Sequence, residues 1–120
     1  MNLVSRYFKP PKSSYFLFGP RGTGKSTWLK QKYPHALTID LLEPDVFRAL
    51  SAKPERLREQ VEANPNSQVI ILDEIQKLPA LLDVVHFLIE KDKRKVFVLT
   101  GSSSRKLKRT GVDLLAGRAI

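Results

Sequence analysis

The chain has 120 residues, of which 42% are hydrophobic, and this is enough for one small domain with a buried core. It has no cysteine, which excludes disulfides, thiolate metal sites and a cysteine nucleophile. The formal net charge of +9 favours polyanionic partners, although scattered basic residues also suit a merely solvated surface. No apolar run has the length of a membrane span, and the N-terminus lacks the apolar region of a signal peptide. We therefore expect a cytoplasmic protein with no membrane partner.

The first predicted strand follows a short N-terminal lead-in. Residues 1–13 form this lead-in and contain two adjacent prolines, which remove N–H donors and break helices. The domain itself is predicted to span residues 14–120. Its first strand ends at Phe18, and the nearly continuous apolar run before that point is typical of a strand covered on both faces.

A phosphate-binding motif follows this strand directly. It matches the pattern G-x-x-x-x-G-K-[ST] and consists of Gly19, Pro20, Arg21, Gly22, Thr23, Gly24, Lys25, Ser26 and Thr27. The glycines allow a tight turn whose backbone N–H groups face a phosphate chain. Lys25 supplies a charge for the β- and γ-phosphates, and Ser26 supplies a hydroxyl for Mg²⁺. A helix predicted over residues 26–32 points its positive end at the same anion.

The next segment carries two residues with two interpretations each. Trp28 either packs the first helix onto the sheet, which we favour, or stacks on a base. A second strand is predicted over residues 36–42. Asp40 near its end is either a ligand or a helix-capping carboxylate, and the structural role is favoured. Two short helices then begin at Pro44 and Pro54, because proline suits a first helical position.

Two carboxylates end the third predicted strand. Residues 69–72 are four consecutive aliphatic side chains, as expected of a strand buried on both faces of a parallel sheet, and Asp73 and Glu74 follow. Ligands of such sheets bind at the carboxyl ends of the strands. Asp73 is therefore placed to hold Mg²⁺, directly or through water. Glu74 is placed to polarise an attacking water.

A fourth strand ends in polar residues beside these carboxylates. A helix that begins at Pro79 shows an apolar stripe at helical spacing and is interpreted as core packing. The apolar run at residues 96–99 is the fourth strand. Thr100 comes next and is the first candidate to touch the γ-phosphate or the water. Ser102 is the second candidate, with helix capping as its alternative role.

The C-terminal residues are strongly basic. The run at residues 105–109 either binds a nucleic acid backbone or forms a solvated helix face, and we favour the solvated face. Arg118 follows a short apolar segment and is a candidate arginine finger, acting in cis or on a neighbouring subunit.

Taken in order, four segments resemble the prokaryotic AAA+-type P-loop ATPases that carry a further, uncharacterised C-terminal domain. They are residues 19–26, 72–79, 99–104 and 114–119. The resemblance implies a three-layer α/β/α P-loop NTPase core with a mostly parallel sheet.

The family also implies roles for single residues. Residues 19–27 would be Walker A, Asp73 the Walker B aspartate, Glu74 the catalytic glutamate and Thr100 the polar sensor. ATP and Mg²⁺ are the implied cofactors.

The resemblance also implies a fifth strand that this sequence does not reach. Such folds have the strand order 5-1-4-3-2, and only strands 1-4-3-2 fit before Ile120. We therefore expect a truncated or fragmentary domain whose first strand is an exposed sheet edge. Such an edge favours self-association.

Mg²⁺-dependent ATP hydrolysis is the favoured function, with turnover impaired by the early end of the chain. One alternative is a non-catalytic remnant that binds a nucleotide or a nucleic acid. A P-loop kinase for a small molecule is a further alternative, although no acceptor-binding motif is visible in the sequence.

Overall fold

The computed structural model describes residues 14–18 and 25–101, and strands alternate with helices along this part of the chain. The strands are β1 (Tyr15–Phe18), β2 (Leu37–Asp40), β3 (Val69–Asp73) and β4 (Val96–Gly101). The helices are α1 (Lys25–Lys32), α2 (Pro44–Ala52), α3 (Arg56–Glu62) and α4 (Leu81–Lys91), and a short 3₁₀ helix covers Ile75–Lys77. None of the helices among these residues is long and apolar enough to cross a membrane.

Each predicted strand and helix of this part is present, with small shifts at the ends. The second strand ends at Asp40 instead of residue 42, because the chain turns there. Helix α4 begins at Leu81 instead of Pro79. Pro79 and Ala80 form a preceding turn, in which the N–H of Leu82 donates to the carbonyl of Pro79. The 3₁₀ helix was not predicted.

The four strands form one parallel sheet in the order β1-β4-β3-β2. β2, β3 and β4 are neighbours both in the chain and in the sheet, and crossover connections join them, as parallel pairing requires. This order confirms the predicted α/β core with strands 1-4-3-2.

Helices cover both faces of the sheet. Successive side chains of a strand point to opposite faces, so one strand can pack against helices on both sides. On β3, Ile70 and Leu72 join the core beneath α2, α3 and α4, whereas Ile71 joins a second cluster beneath α1. Trp28 and Leu29 of α1 complete the second cluster, and Trp28 is only 6% exposed. The three-layer arrangement is therefore as predicted, and the packing interpretation of Trp28 is confirmed.

The strand register brings three chain segments together at the carboxyl end of the sheet. Phe18, the last residue of β1, pairs with Gly101 of β4. Leu72 of β3 pairs with Leu99, so Asp73 and Thr100 come next on their strands, side by side. Neighbouring strands lie about 4.8 Å apart. The end of β1, after which the phosphate-binding motif begins, is therefore two strand spacings, or about 10 Å, from Asp73.

Candidate functional site

Asp73 and Thr100 are joined by a hydrogen bond at the carboxyl edge of the sheet. The hydroxyl of Thr100 donates to Oδ1 of Asp73. Thr100 is fully buried and Asp73 is half-buried, so water competes little for this bond. The aspartate carboxylate is thereby held in one orientation at the end of β3.

The same hydroxyl also fixes the backbone of Glu74. The N–H of Glu74 donates to Oγ1 of Thr100 over 3.1 Å. Glu74 has φ 62° and ψ 52°, and it is the only non-glycine residue with positive φ among the described residues. A left-handed conformation costs a side chain with Cβ roughly 1–2 kcal/mol. The hydrogen bond to Thr100 helps to offset that cost, and the turn directs the chain into the 3₁₀ helix.

The side chain of Glu74 is buried and contacts an amide that the sequence did not single out. Glu74 is 5% exposed, and Oε1 of its carboxylate accepts a hydrogen bond from Nε2 of Gln76. The contact forms because the left-handed turn at Glu74 and the following 3₁₀ helix bring residue 76 back over residue 74. Gln76 is thus a residue of the site that sequence reasoning missed.

Asp40 lies at the same edge, on the neighbouring strand β2, but it holds a turn. Its Oδ1 accepts the N–H of Leu42 over 2.9 Å, and its carbonyl accepts the N–H of Glu43. Glu43 is the N-cap of α2 and makes no side-chain capping bond. The structural role of Asp40 is confirmed, although Asp40 caps a turn and not the helix as expected. The N–H of Leu41 also bonds the carbonyl of Asp73, which ties this turn to the site.

The remaining predicted site residues lie largely outside the described part of the chain. Helix α1 begins at Lys25, and Thr27 is exposed on its first turn. The side chains of Lys25 and Ser26 lie outside the part of the chain that the structure describes, as do residues 19–24, 102 and 118.

The basic turn between α4 and β4 has its charges engaged in local contacts. Lys91 binds Glu62 over 2.9 Å, and Arg94 binds Asp92. Hydrogen bonds from Lys91 and then Arg58 hold the pKa of Glu62 below its usual value. Lys95 donates to three backbone carbonyls of the loop before β3, at residues 64, 65 and 67. These cations make contacts within the fold at the amino end of the sheet, opposite the end that carries Asp73 and Glu74.

Comparison with known families agrees with this geometry. The profile of the AAA domain family matches residues 11–120, which is nearly the whole chain. No curated protein matches the sequence. The parallel sheet in the order 1-4-3-2, with two acidic residues at the end of β3, is consistent with a nucleotide-binding core of that type. The chain therefore belongs to the AAA domain family of P-loop ATPases.

Proposed function

We propose that the chain binds ATP at the carboxyl edge of its sheet and hydrolyses it with Glu74 as the general base. One observation carries the proposal. Thr100 of β4 binds both Asp73 and the backbone of Glu74, and β4 lies directly between β3 and the strand that leads into the phosphate-binding motif. The end of β1, after which the motif begins, therefore lies at the same end of the sheet as the two carboxylates.

The phosphate chain is assigned to the motif. The backbone N–H groups of residues 19–24 would surround the phosphates, and Lys25 would bind the β- and γ-phosphates. Helix α1 begins at Lys25, within the motif, so its positive N-terminal end would favour an anion bound there.

Asp73 and Ser26 are assigned to Mg²⁺. The described residues contain no group of three or more His, Asp or Glu side chains that would form a closed metal site. Mg²⁺ at a nucleotide usually takes one or two carboxylates, with phosphate oxygens and water as the other ligands. The oriented, half-buried carboxylate of Asp73 fits that requirement. When bound, Mg²⁺ neutralises the charge that develops on the phosphate oxygens.

Glu74 is assigned to the water. Its carboxylate accepts a proton from a water molecule as the water oxygen forms a bond to the γ-phosphorus. The bond between that phosphorus and the oxygen bridging to the β-phosphate breaks, and the electron pair leaves with ADP. The products are ADP and inorganic phosphate, and the proton on Glu74 passes to solvent. Arg118 is proposed to stabilise the charge of the transferred group, in cis or on a neighbour.

Thr100 is assigned a positioning role. The sequence suggested that this residue touches the γ-phosphate or the water. Its hydroxyl proton is instead directed at Asp73, and it accepts the N–H of Glu74. These two bonds favour an action on the nucleotide through the two acidic residues.

The test compares ATP binding and phosphate release in the wild type, Lys25→Ala and Glu74→Gln, with Mg²⁺ present. Lys25→Ala should lose binding because a charge on the phosphates is removed. Glu74→Gln should bind ATP as the wild type does but release phosphate at least about 100-fold more slowly. Glu55→Gln is the matched control, since Glu55 is exposed and makes no side-chain capping bond.

Three outcomes would contradict the proposal. The first is phosphate release by Glu74→Gln at the wild-type rate. The second is ATP binding with no release in the wild type, which would indicate a non-catalytic nucleotide-binding module. The third is release only after an acceptor molecule is added, which would indicate a kinase.

A further inference from the structure

Among the described residues, the side-chain nitrogen of Gln76 has a hydrogen-bond partner, whereas its side-chain oxygen has none. Its Nε2 donates to Oε1 of the Glu74 carboxylate. Its own Oε1 is buried and finds no hydrogen-bond partner within residues 14–18 and 25–101. Buried side-chain oxygens are usually hydrogen-bonded, so this acceptor calls for an explanation.

The orientation of this amide is fixed by chemistry. The proposed general base must be ionised, and an ionised carboxylate only accepts hydrogen bonds, so the group that faces Glu74 is the NH₂ of Gln76. Rotating the amide by half a turn would place two acceptors against each other. Flipping the amide therefore does not provide a hydrogen-bond donor for the oxygen of Gln76. A buried acceptor without a donor costs roughly 1–3 kcal/mol, and a ligand that donates a hydrogen bond would recover that free energy.

We propose that Gln76 is a water-positioning residue, whose Oε1 accepts a hydrogen bond from the water that Glu74 activates. This inference rests on the proposed function of Glu74. The nitrogen and oxygen of one amide group are about 2.2 Å apart, given ordinary bond lengths. Because the nitrogen contacts Glu74, a water bound to that carboxylate lies within reach of the amide oxygen.

Two acceptors would orient the water completely. One water hydrogen points to Glu74, which takes the proton, and the other points to Oε1 of Gln76. The lone pair of the water oxygen is then directed away from both acceptors and is left to attack the γ-phosphorus. A glutamine that orients the attacking water is an established device in nucleotide hydrolysis. Here the amide also holds the carboxylate of the base, so one side chain positions both the base and its water.

The experiment measures kcat, KM and ATP affinity for the wild type, Gln76→Leu, Gln76→Glu and Glu74→Gln. Gln76→Leu removes both hydrogen-bonding atoms and keeps a similar volume. Gln76→Glu keeps the acceptor but replaces the donor to Glu74 with a like charge. Gln68→Leu is the control, because Gln68 is exposed and precedes β3, at the opposite edge of the sheet.

Both Gln76 variants should lower kcat by about 10- to 100-fold, since a misplaced reactant costs that much. Their ATP affinity should stay within about twofold of the wild type, because Gln76 contacts the water and not the phosphates. A residue that only stabilises the fold would lower affinity and melting temperature together with kcat. Gln76→Glu preserves the length and shape of the side chain, so it remains informative if Gln76→Leu fails to fold.

The outcomes separate this inference from the proposed function. Wild-type kcat in both Gln76 variants, combined with loss of turnover in Glu74→Gln, would overturn the role of Gln76 alone. A fall in ATP affinity equal to the fall in kcat would also overturn it. Equal turnover in the wild type and Glu74→Gln would overturn the proposed hydrolysis, and the role of Gln76 with it.

Discussion

The hydroxyl of Thr100 binds Oδ1 of Asp73 and also accepts the backbone N–H of the next residue, Glu74. One side chain from β4 therefore sets the direction of both acidic residues that end β3. The two functions that we propose for these residues, metal binding at Asp73 and proton transfer at Glu74, therefore depend on the same side chain.

Replacing Thr100 should separate the effect of its hydroxyl from that of its shape. Thr100→Val keeps the volume but leaves the Glu74 N–H without this acceptor and Asp73 without this donor. We expect a loss of about 2 kcal/mol in the free energy of unfolding, because one buried polar group left unsatisfied costs roughly 1–3 kcal/mol. Thr100→Ser keeps the hydroxyl and should lose about 1 kcal/mol, as expected for one buried methyl group. Urea unfolding measures both values, and equal losses would argue against the hydrogen bonds as the cause.

The left-handed backbone at Glu74 predicts an unusual order of stability. Glycine adopts positive φ at no steric cost, whereas alanine does not. Glu74→Gly should therefore be more stable than Glu74→Ala by about 1 kcal/mol, although both lack the carboxylate. At Thr38, an exposed residue of β2, the same pair should show the reverse order, since glycine weakens a strand. Thermal unfolding of the four variants tests this, and alanine being the more stable at both positions would contradict the strained turn.

Tyr15 makes the stability of the fold sensitive to alkaline pH. Burial, and then the hydrogen bond of 3.0 Å with Tyr33, raise the pKa of Tyr15 well above its ordinary value of 10.0. Above pH 10 the unfolded chain loses this proton while the folded chain keeps it, so stability must fall as the pH rises. The slope contributed by Tyr15 approaches about 1.4 kcal/mol per pH unit. Tyr15→Phe should flatten the decline between pH 10 and 11 in urea unfolding, and an unchanged slope would contradict the assignment.

Lys95 should matter for folding more than its neighbour in the basic turn. Its ammonium group donates to the carbonyl of Ser67 over 2.7 Å and to two further carbonyls of the same loop. Lys95→Met should cost about 1 kcal/mol in the free energy of unfolding, the usual net value of a hydrogen bond. Lys93→Met should cost almost nothing, since Lys93 is exposed and pairs only with Glu90 at 3.4 Å among the described residues. Equal effects in urea unfolding would mean that the loop contacts add no stability.

Much of this architecture follows from local sequence patterns. The aliphatic run at residues 69–72 predicted a buried parallel strand, and the rule that ligands bind at carboxyl ends of strands predicted the location of Asp73 and Glu74. The order of the strands came from the resemblance to a family. Periodicity cannot supply that order, because each apolar strand fits any central position in the sheet.

The contacts within the site could not be predicted in the same way. Gln76 reaches Glu74 only because Glu74 adopts a left-handed conformation, which is rare for a residue with Cβ and has no signal in the sequence. Thr100 was predicted to be a site residue, but the two groups that it contacts depend on the register between β3 and β4. Asp40 was expected to cap a helix. It caps a turn instead, because β2 ends at Asp40, two residues before its predicted end.

We propose different tasks for the two adjacent carboxylates, metal binding for Asp73 and proton transfer for Glu74. The most direct test is ATP affinity measured at increasing Mg²⁺ concentration for the wild type, Asp73→Asn and Glu74→Gln. We predict that Mg²⁺ strengthens ATP binding in the wild type and Glu74→Gln alike. In Asp73→Asn, the Mg²⁺ required should rise by at least about 10-fold, because a metal ligand is lost. Identical Mg²⁺ dependence in all three proteins, or a shift in Glu74→Gln as large as that in Asp73→Asn, would contradict the division of roles.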